Sequence, residues 1–416
     1  MKIININELN QNFFQYKEFP EIEIVPEVIS NIKKYGNKSI TEYSKKFGDG
    51  DLTEFTVSKA EIDKAFQETP PDIIDSLNIA ISNIREFAEA QFSILKNIEI
   101  DIDGIKLGHK IIPLNRIGAY VPGGNYPLPS SALMSIIPAK IAGVEEVIVC
   151  SPKIQPITMT ACKLAGADKI FRIGGVQAIA AMAYGTETIP KVDKIVGPGN
   201  KFVTAAKKEV YGVCGIDFLA GPSEVMIIAD ETANPEFIAA DLLAQAEHDK
   251  EAEVCLITTS KELAEKVNKK IEQFLTKLET SDIAGISIQE GVIILIDNIT
   301  QAIDIANKKA PEHLEICFDK ADTFIDKFKN YGSLFIGNYS AEVFGDYCSG
   351  TNHILPTNGI ARYTGGLSVF DFVKIQSFQQ ISKQAVQSKL CATASKIAQL
   401  EGLYAHKLSS DLRSEN

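Results

Sequence analysis

Four of the chain's five histidines lie between positions 248 and 406, each within a few residues of a carboxylate or carboxamide: Gln245-Ala-Glu-His248, Pro311-Glu312-His313, Asp346 to His353, and Glu401 to His406. Neutral imidazole, carboxylate and amide oxygen are all ligands that a zinc ion accepts, and a neighbouring Glu-His pair can move protons near neutral pH. The inventory points to an enzyme rather than a scaffold.

Spacing says how these groups could meet. Asn234-Pro235 reads as an N-cap with a first-turn proline; Ile238, Leu242 and Gln245 follow at i, i+4 and i+7, and His248 comes nearly one turn later, so Gln245 and His248 share a helix face. Buried there they need a partner, either a metal or each other. Glu312-His313 closes a helical segment ahead of the β-like Leu314–Cys317. At a strand end both can enter one cavity, where an acid and a base suit stepwise proton transfer, although a surface turn would also accommodate them. Gly345 and Gly350 make Asp346 to His353 a loop whose backbone can approach a ligand closely. Glu401 and His406, five residues apart, would point about 140° apart on an unbroken helix. They address one site only if Gly402 breaks that helix; a solvated helix end is the alternative.

The elements that must position these groups alternate. After a mainly helical stretch over residues 1 to 96, with a Ser58/Glu61 capping box and a helical period from Asp72 to Lys96, the turn Asp103-Gly104 joins Ile98–Ile102 to Ile105–Ile112 as a hairpin. From Arg116 short β-rich runs alternate with helical stretches: Ile117–Val121, Val147–Cys150, Ile170–Ile173, Ile195–Val196, Val225–Ala229, Val254–Thr258, Val292–Ile296 and Leu334–Ile336. That is the pattern of parallel sheets with helical crossovers, and a boundary between Ile195 and Val225 predicts two α/β modules with a cleft between them. Beyond Gly366 the apolar spacing predicts helix to the end. Ligands of open parallel sheets bind at the carboxyl ends of strands, where Gly197-Pro-Gly-Asn200 and Gly221-Pro-Ser223 are expected. Gly123-Gly124 resembles a phosphate-approach turn, yet no G-x-G-x-x-G follows a strand, so pattern alone leaves nicotinamide binding and metal-dependent hydrolysis both open.

Composition narrows the partners. The 416 residues carry 42 Lys and Arg against 54 Asp and Glu, a net charge of -12, with no basic stripe, so nucleic acid and anionic membranes are poor partners. The first residues lack a long apolar core and no run approaches the roughly 20 apolar residues of a membrane span, which makes the cytoplasm the expected location. The seven cysteines are scattered without a C-x-x-C pair and read mainly as small buried hydrophobes.

Together the segments resemble the histidinol dehydrogenase family from about residue 25 onward. The motifs Tyr120-Val-Pro-Gly-Gly, Gly174-Gly-Val-Gln177-Ala-Ile-Ala, Gly197-Pro-Gly-Asn200, Ala220-Gly-Pro-Ser-Glu224, Gln245-Ala-Glu-His248, Pro311-Glu-His-Leu-Glu315, Gly345-Asp-Tyr-Cys-Ser-Gly-Thr-Asn-His353-Ile-Leu-Pro and Glu401-Gly-Leu-Tyr-Ala-His406 occur in the family's order. The resemblance implies a zinc- and NAD-dependent enzyme that oxidises L-histidinol through L-histidinal to L-histidine. It implies Gln245, His248, Asp346 and His406 as zinc ligands, Glu312 and His313 as the catalytic pair, and Ser223, His353 and Glu401 as further substrate contacts beside Gln245, His248, His313, Asp346 and His406. It implies Tyr120, Gln177 and Asn200 as NAD contacts. It also implies a domain-swapped homodimer whose tail brings Glu401 and His406 to the partner's site. His109 matches no family ligand.

The expected architecture is thus α/β, two Rossmann-like parallel-sheet modules with helical N- and C-terminal extensions. Residues 21–115 and 225–367 would form the module with most metal and catalytic residues, 116–224 the NAD module, and 1–20 and 368–416 the terminal arm and tail. A dehydrogenase of the same fold acting on another small polar alcohol, such as a sulfonated propanediol, is the nearest alternative. A zinc hydrolase and a non-catalytic zinc protein are more distant ones.

Overall fold

The chain begins with a strand where a helical arm is expected: β1 (Lys2–Asn5) carries Ile3 and Ile4 into a sheet edge. In this computed structural model, which describes residues 1–19, 21–50, 52–123 and 127–415, four helices follow: α1 (Ile24–Tyr35), α2 (Asn37–Lys46), α3 (Lys59–Glu68) and α4 (Pro71–Ser93). The capping box at the start of α3 forms as predicted, Ser58 Oγ accepting from the Glu61 N–H at 3.3 Å while Glu61 Oε2 accepts from the Ser58 N–H at 2.9 Å. The predicted hairpin also forms, β2 (Ile98–Ile102) and β3 (Ile105–Pro113), with Asp103 and Gly104 both at positive φ, 54° and 85°, as its turn requires.

The next five strands, β4 (Arg116–Tyr120), β5 (Glu146–Cys150), β6 (Lys169–Phe171), β7 (Lys194–Val196) and β8 (Gly215–Ile216), form a parallel sheet in the order β6-β5-β4-β7-β8. Helices α5 (Pro129–Ile141), α6 (Pro156–Ala165), α7 (Gly175–Tyr184) and α8 (Lys201–Val210) are the crossovers. Relabelled from β4, this is the 3-2-1-4-5 winding of dinucleotide-binding folds.

A second parallel sheet repeats that winding: β9 (Glu224–Ala229), β10 (Glu253–Thr258), β11 (Val292–Leu295), β12 (His313–Cys317) and β13 (Ser333–Ile336) stand in the order β11-β10-β9-β12-β13, with β1 added beyond β11. Its helices are α9 (Pro235–Ala246), α10 (Lys261–Leu275), α11 (Ser281–Glu290), α12 (Ile299–Lys309) and the short α13 (Glu342–Tyr347). Residues 224–229 of β9 are buried on both faces, as a central parallel strand should be. The fold is therefore α/β with two doubly wound parallel sheets.

Packing corrects the expected division of the chain. Helix α1 packs on α7 and α8, α3 on α6, and α4 on α5, so residues 24–93 cover the β4–β8 sheet rather than joining residues 225–367. Val28 and Ile32 of α1 share one core with Ile179 and Val203, and Ile354, Leu367 and Phe372 share another with Ile136 and Ile137. The first residues belong to the other body: Ile4 lies in the core beneath β9–β12, with Phe13 and Phe14 packed against it.

The tail is a second correction. Val373–Ile381 is not helical but forms β14, antiparallel to β3, giving the sheet β14-β3-β2. A two-stranded hairpin is marginal alone, and a third strand satisfies the outer backbone groups of β3. Beyond it the helical turn α14 (Lys383–Ala385) runs through a π-helical stretch into α15 (Cys391–Leu400). Gly402, at φ 73°, breaks the course before α16 (Tyr404–Glu415), which folds back on α15. Ile397, Leu400 and Leu408 of this pair are exposed. All seven cysteines are unpaired and six are buried, Cys348 being intermediate. Among the described residues no helix is long and apolar enough to cross a membrane.

Ile32→Ala removes a fully buried side chain between α1 and α7, so a loss of about 2–5 kcal/mol is expected. Hydrogen exchange should rise in α7 and β6 and stay unchanged in β9–β12; the reverse distribution would restore the grouping expected from sequence.

Candidate active site

Glu312 and His313 stand at the amino end of β12, next to the amino end of β9, and both are buried. This corrects the expectation of carboxyl-end sites here: Gly221 to Ser223 also leads into the amino end of β9. Glu312 Oε2 accepts from the Glu224 N–H at 2.8 Å and lies 3.6 Å from His313 Nδ1. His313 Nδ1 meets the Glu224 carbonyl at 3.1 Å. A carbonyl only accepts, so Nδ1 carries a proton and Nε2 is the nitrogen left for chemistry. That nitrogen faces Asp346 Oδ1 at 3.6 Å, beyond hydrogen-bond reach, and is buried without a hydrogen-bond partner among the described residues.

Helix α9 brings the next two groups to the same edge. Asn234 caps it, accepting from the Glu236 N–H at 2.9 Å, and Pro235 occupies its first turn. Gln245 is fully buried in its last turn. With the amide oriented to satisfy both neighbours, Nε2 donates to Glu342 Oε1 at 2.6 Å and Oε1 accepts from the Glu224 N–H at 2.9 Å. His248 follows the helix end, its side chain 44 % exposed, with Nε2 3.9 Å from Asp346 Oδ2. Helix α13 supplies Glu342 and Asp346, four residues apart on one face. Among the described residues, ligand atoms of His248, Glu342 and Asp346 lie within 4.8 Å of one another and could hold a metal.

The electrostatics follow from crowding buried carboxyls. Burial raises Glu312 to about 8, the charge of His313 opposing it. Burial also raises Glu315 to about 8, reinforced by Asp241, itself raised by burial to about 6. Glu342 is raised well above the carboxylate range, first by burial and then by its carboxylate neighbours. Burial pushes His313 down, but Glu312, Glu342 and Asp346 together outweigh it and hold the ring protonated. Burial works against ionised Asp346 too, yet the neighbouring His313 and its charge hold it below the usual value. Glu315 Oε1 accepts the Glu342 N–H at 2.9 Å and so pins the start of α13.

The remaining expected residues divide. His353 joins the cluster: Nδ1 meets the Asp346 carbonyl at 2.8 Å and Nε2 the Ser131 hydroxyl at 3.2 Å. Burial lowers its pKa, so the neutral ring donates through Nδ1 and accepts from Ser131. Ser223 lies in the loop into β9, where its carbonyl accepts from the Glu253 N–H at 2.9 Å. Glu401 and His406 are exposed at the α15–α16 corner, and His406 stands outside the metal-ligating group. Tyr120, Gln177 and Asn200 lie at the carboxyl edge of the β4–β8 sheet, Tyr120 ending β4 and the other two following β6 and β7. Tyr120 is buried, its hydroxyl accepting from the Gly175 N–H at 3.1 Å and pushed up to about 12 by burial. Gln177 Nε2 donates to Asp49 Oδ2 at 3.2 Å, and Asn200 caps α8 through the Phe202 and Val203 N–H groups. Gly124 of the expected phosphate-approach turn lies outside the described residues. His109 bonds the Lys96 carbonyl at 3.0 Å in the antiparallel sheet, away from this chemistry.

Sequence reasoning missed Glu342, Glu224 and Ser131. Glu342 was the most legible, because an acid four residues before Asp346 shares its helix face. Ser131 had no signal, since its partner lies 222 positions away.

An acid-base pair beside a metal-ligating group suits oxidation or hydrolysis alike, and relatives decide between them. The histidinol dehydrogenase family profile matches residues 15–414. A histidinol dehydrogenase of Methanosarcina mazei is 48% identical over 389 residues, 92% of this chain and 90% of that protein. One from Clostridium acetobutylicum is 46% identical over 406 residues, 96% and 94% of the two chains. The crystal structure of histidinol dehydrogenase from Elizabethkingia anophelis superposes with a TM-score of 0.94 at 39% identity, covering 100% of this chain and 98% of that one. With nearly the whole length matched in sequence and in fold, the chain belongs to the histidinol dehydrogenase family and is an oxidoreductase.

Proposed function

We propose that the protein oxidises L-histidinol through L-histidinal to L-histidine in the cytoplasm, with zinc in the site and NAD as acceptor. The observation that carries this reading is the convergence of buried Glu312, His313, Gln245 and Asp346, with His248 at the exposed rim, from in and beside α9, β12 and α13, in a chain of this family. In balance, the alcohol, one water and two NAD give the carboxylate, two NADH and three protons.

The residues fit a cation. Glu342 Oε2 is buried without a hydrogen-bond partner among the described residues, and burying carboxylates without compensation is costly. Gln245, His248 and Asp346, with His406 of the partner subunit, would hold zinc, an all nitrogen and oxygen set within its preferences. When bound, zinc supplies the positive charge that anchors and orients the substrate through its nitrogens. That charge would also offset the carboxylates that keep His313 protonated, freeing Nε2 as a base. His313 then takes the alcohol proton as hydride leaves carbon for NAD. Glu312 takes a proton from water as that water adds to the aldehyde, and the hydrate gives up the second hydride.

Ser223, His353 and Glu401 would complete the substrate pocket, Glu401 facing the substrate ammonium. Tyr120, Gln177 and Asn200 would contact NAD at the carboxyl edge of the first sheet. The exposed apolar residues of α15 and α16, with Glu401 and His406 outside the metal-ligating group, support a homodimer in which each tail completes the other's site. An anionic alcohol such as a sulfonated propanediol would want a cation where Glu401 stands. NADH formed per L-histidinol consumed tests the whole reading: two per substrate, lost on chelation and restored by zinc, is expected. One per substrate, or none from a zinc-loaded dimer, would sink the four-electron assignment.

Glu312→Gln should reduce aldehyde oxidation at least about a hundredfold while sparing the alcohol step more. Because only the carboxylate is a base, the wild-type aldehyde rate should rise with pH up to about 8, lower if the bound cation depresses Glu312, and that limb should vanish in the variant. A variant that keeps aldehyde oxidation but loses alcohol oxidation would reverse the roles. Removing residues after 395 should abolish turnover with both parallel sheets still folded by circular dichroism; retained turnover would refute the swapped tail.

A further inference from the structure

Sheets wound 3-2-1-4-5 that bind dinucleotides place an acid at the carboxyl end of the second strand, where it takes the adenosine ribose hydroxyls and repels a 2′-phosphate. Here the second strand is β5, and it leads into Ser151-Pro152-Lys153: a lysine stands where the acid belongs. An acid arrives from elsewhere. Asp49, in the turn after α2, reaches the corner formed by β4, β5 and the start of α7. Its carboxylate accepts from Gln177 Nε2 at 3.2 Å and is close enough to interact electrostatically with both Lys153 and Tyr120. The packing of α2 against α7 holds that turn at the sheet's edge.

The local chemistry calls for a hydroxyl donor. Partial burial raises the Asp49 carboxyl, with Lys153 and Gln177 opposing the rise. Gln177 is almost wholly buried, and its Oε1 has no hydrogen-bond partner among the described residues. An ionised carboxylate and an unpartnered amide oxygen side by side are acceptors in want of donors. Vicinal ribose hydroxyls provide two. A phosphate ester in place of one hydroxyl would bring a second negative charge against Asp49.

We infer that Asp49 takes the ribose hydroxyls of the adenosine half of NAD, held by Gln177, and sets the preference for NAD over NADP. This rests on reading the first sheet as the dinucleotide module. Lys153, relieved of Asp49, is placed to accept a 2′-phosphate, so the discrimination is a contest between the two side chains.

The test uses the full-length enzyme and the variants Asp49→Ser, Asp49→Asn and Asp49→Ser with Lys153→Ala. Steady-state rates with NAD and NADP are measured beside calorimetric affinities for NADH and NADPH. Loss of hydrogen bonds to a charged group should raise KM for NAD and Kd for NADH about tenfold or more, with kcat little changed. The NADP:NAD ratio of kcat/KM should rise by at least about tenfold in Asp49→Ser, and the added Lys153→Ala should cancel the gain with NADP. A wild type that prefers NAD, with variants whose ratio is unmoved, overturns this assignment alone, as does a fall in kcat shared by both dinucleotides. A wild type that binds neither NADH nor NADPH overturns both this assignment and the reading beneath it.

Discussion

Five buried carboxyl groups, Glu224, Glu312, Glu315, Glu342 and Asp346, crowd the amino edge of β9 and β12 around the buried imidazole of His313. Ionised carboxylates in such a setting are stable only when paired, hydrogen-bonded or neutralised. Each device is present. Glu315 is held as an acid beside Asp241, Glu312 accepts a backbone N–H, and Glu224 has Lys309 within electrostatic reach. Lys309 is in turn ion-paired to Glu253 at 2.6 Å. Glu224 Oε2, Glu315 Oε2, Glu342 Oε2 and His313 Nε2 are left without hydrogen-bond partners among the described residues, and of these carboxyl groups Glu342 is the one that stands in the metal-ligating group. A dication satisfies a carboxylate that protein donors do not reach.

Holding that crowd in place falls to backbone as much as side chain. The Glu224 peptide takes part in three contacts at once: its N–H meets Glu312 and Gln245, and its carbonyl meets His313. Since β9 and β12 are paired in register from Val225 opposite His313, any slip between them would separate the acid, the base and α9 together. The carboxyl of Glu315 does the same for α13, fixing the start of the helix that carries Asp346. Geometry suited to proton transfer is here a consequence of strand register.

Much of this was legible where the signal is local. Asp103-Gly104 announced its hairpin, Ser58 and Glu61 their helix, and Asn234-Pro235 the start of α9, because each depends on neighbours within a turn. The site motifs were legible as chemistry and their family as a pattern of motifs in order. What stayed hidden depends on distant partners. The apolar residues of β14, Val373, Ile375, Phe378 and Ile381, fit a helix as well as a strand, and only the waiting edge of β3, some 260 positions earlier, decides. Strand β1 is four residues long and owes its existence to β11. Grouping 21–115 with 225–367 failed for a similar reason: amphipathic helices announce a face and not which sheet will cover it.

Side-chain contacts of the same kind tie the two sheets of identical winding to each other. The first sheet offers its carboxyl edge, where Tyr120, Gln177 and Asn200 lie, while the second offers its amino edge, where Glu312 and His313 lie. Ser131, in the first turn of the helix that follows β4, binds His353 Nε2, and His353 Nδ1 binds the carbonyl of Asp346. A second tie runs from Asn352 Nδ2 to the Met134 carbonyl at 2.8 Å, and a third from Asn83 Nδ2 to the Cys348 carbonyl at 2.7 Å. Because Asp346 is both the neighbour of His313 and the carbonyl that fixes His353, a displacement of α5 reaches the catalytic edge through two hydrogen bonds. In the proposed reaction a hydride acceptor on the first sheet and a proton acceptor on the second would thereby be kept in one frame, as the removal of both from one carbon and its oxygen requires.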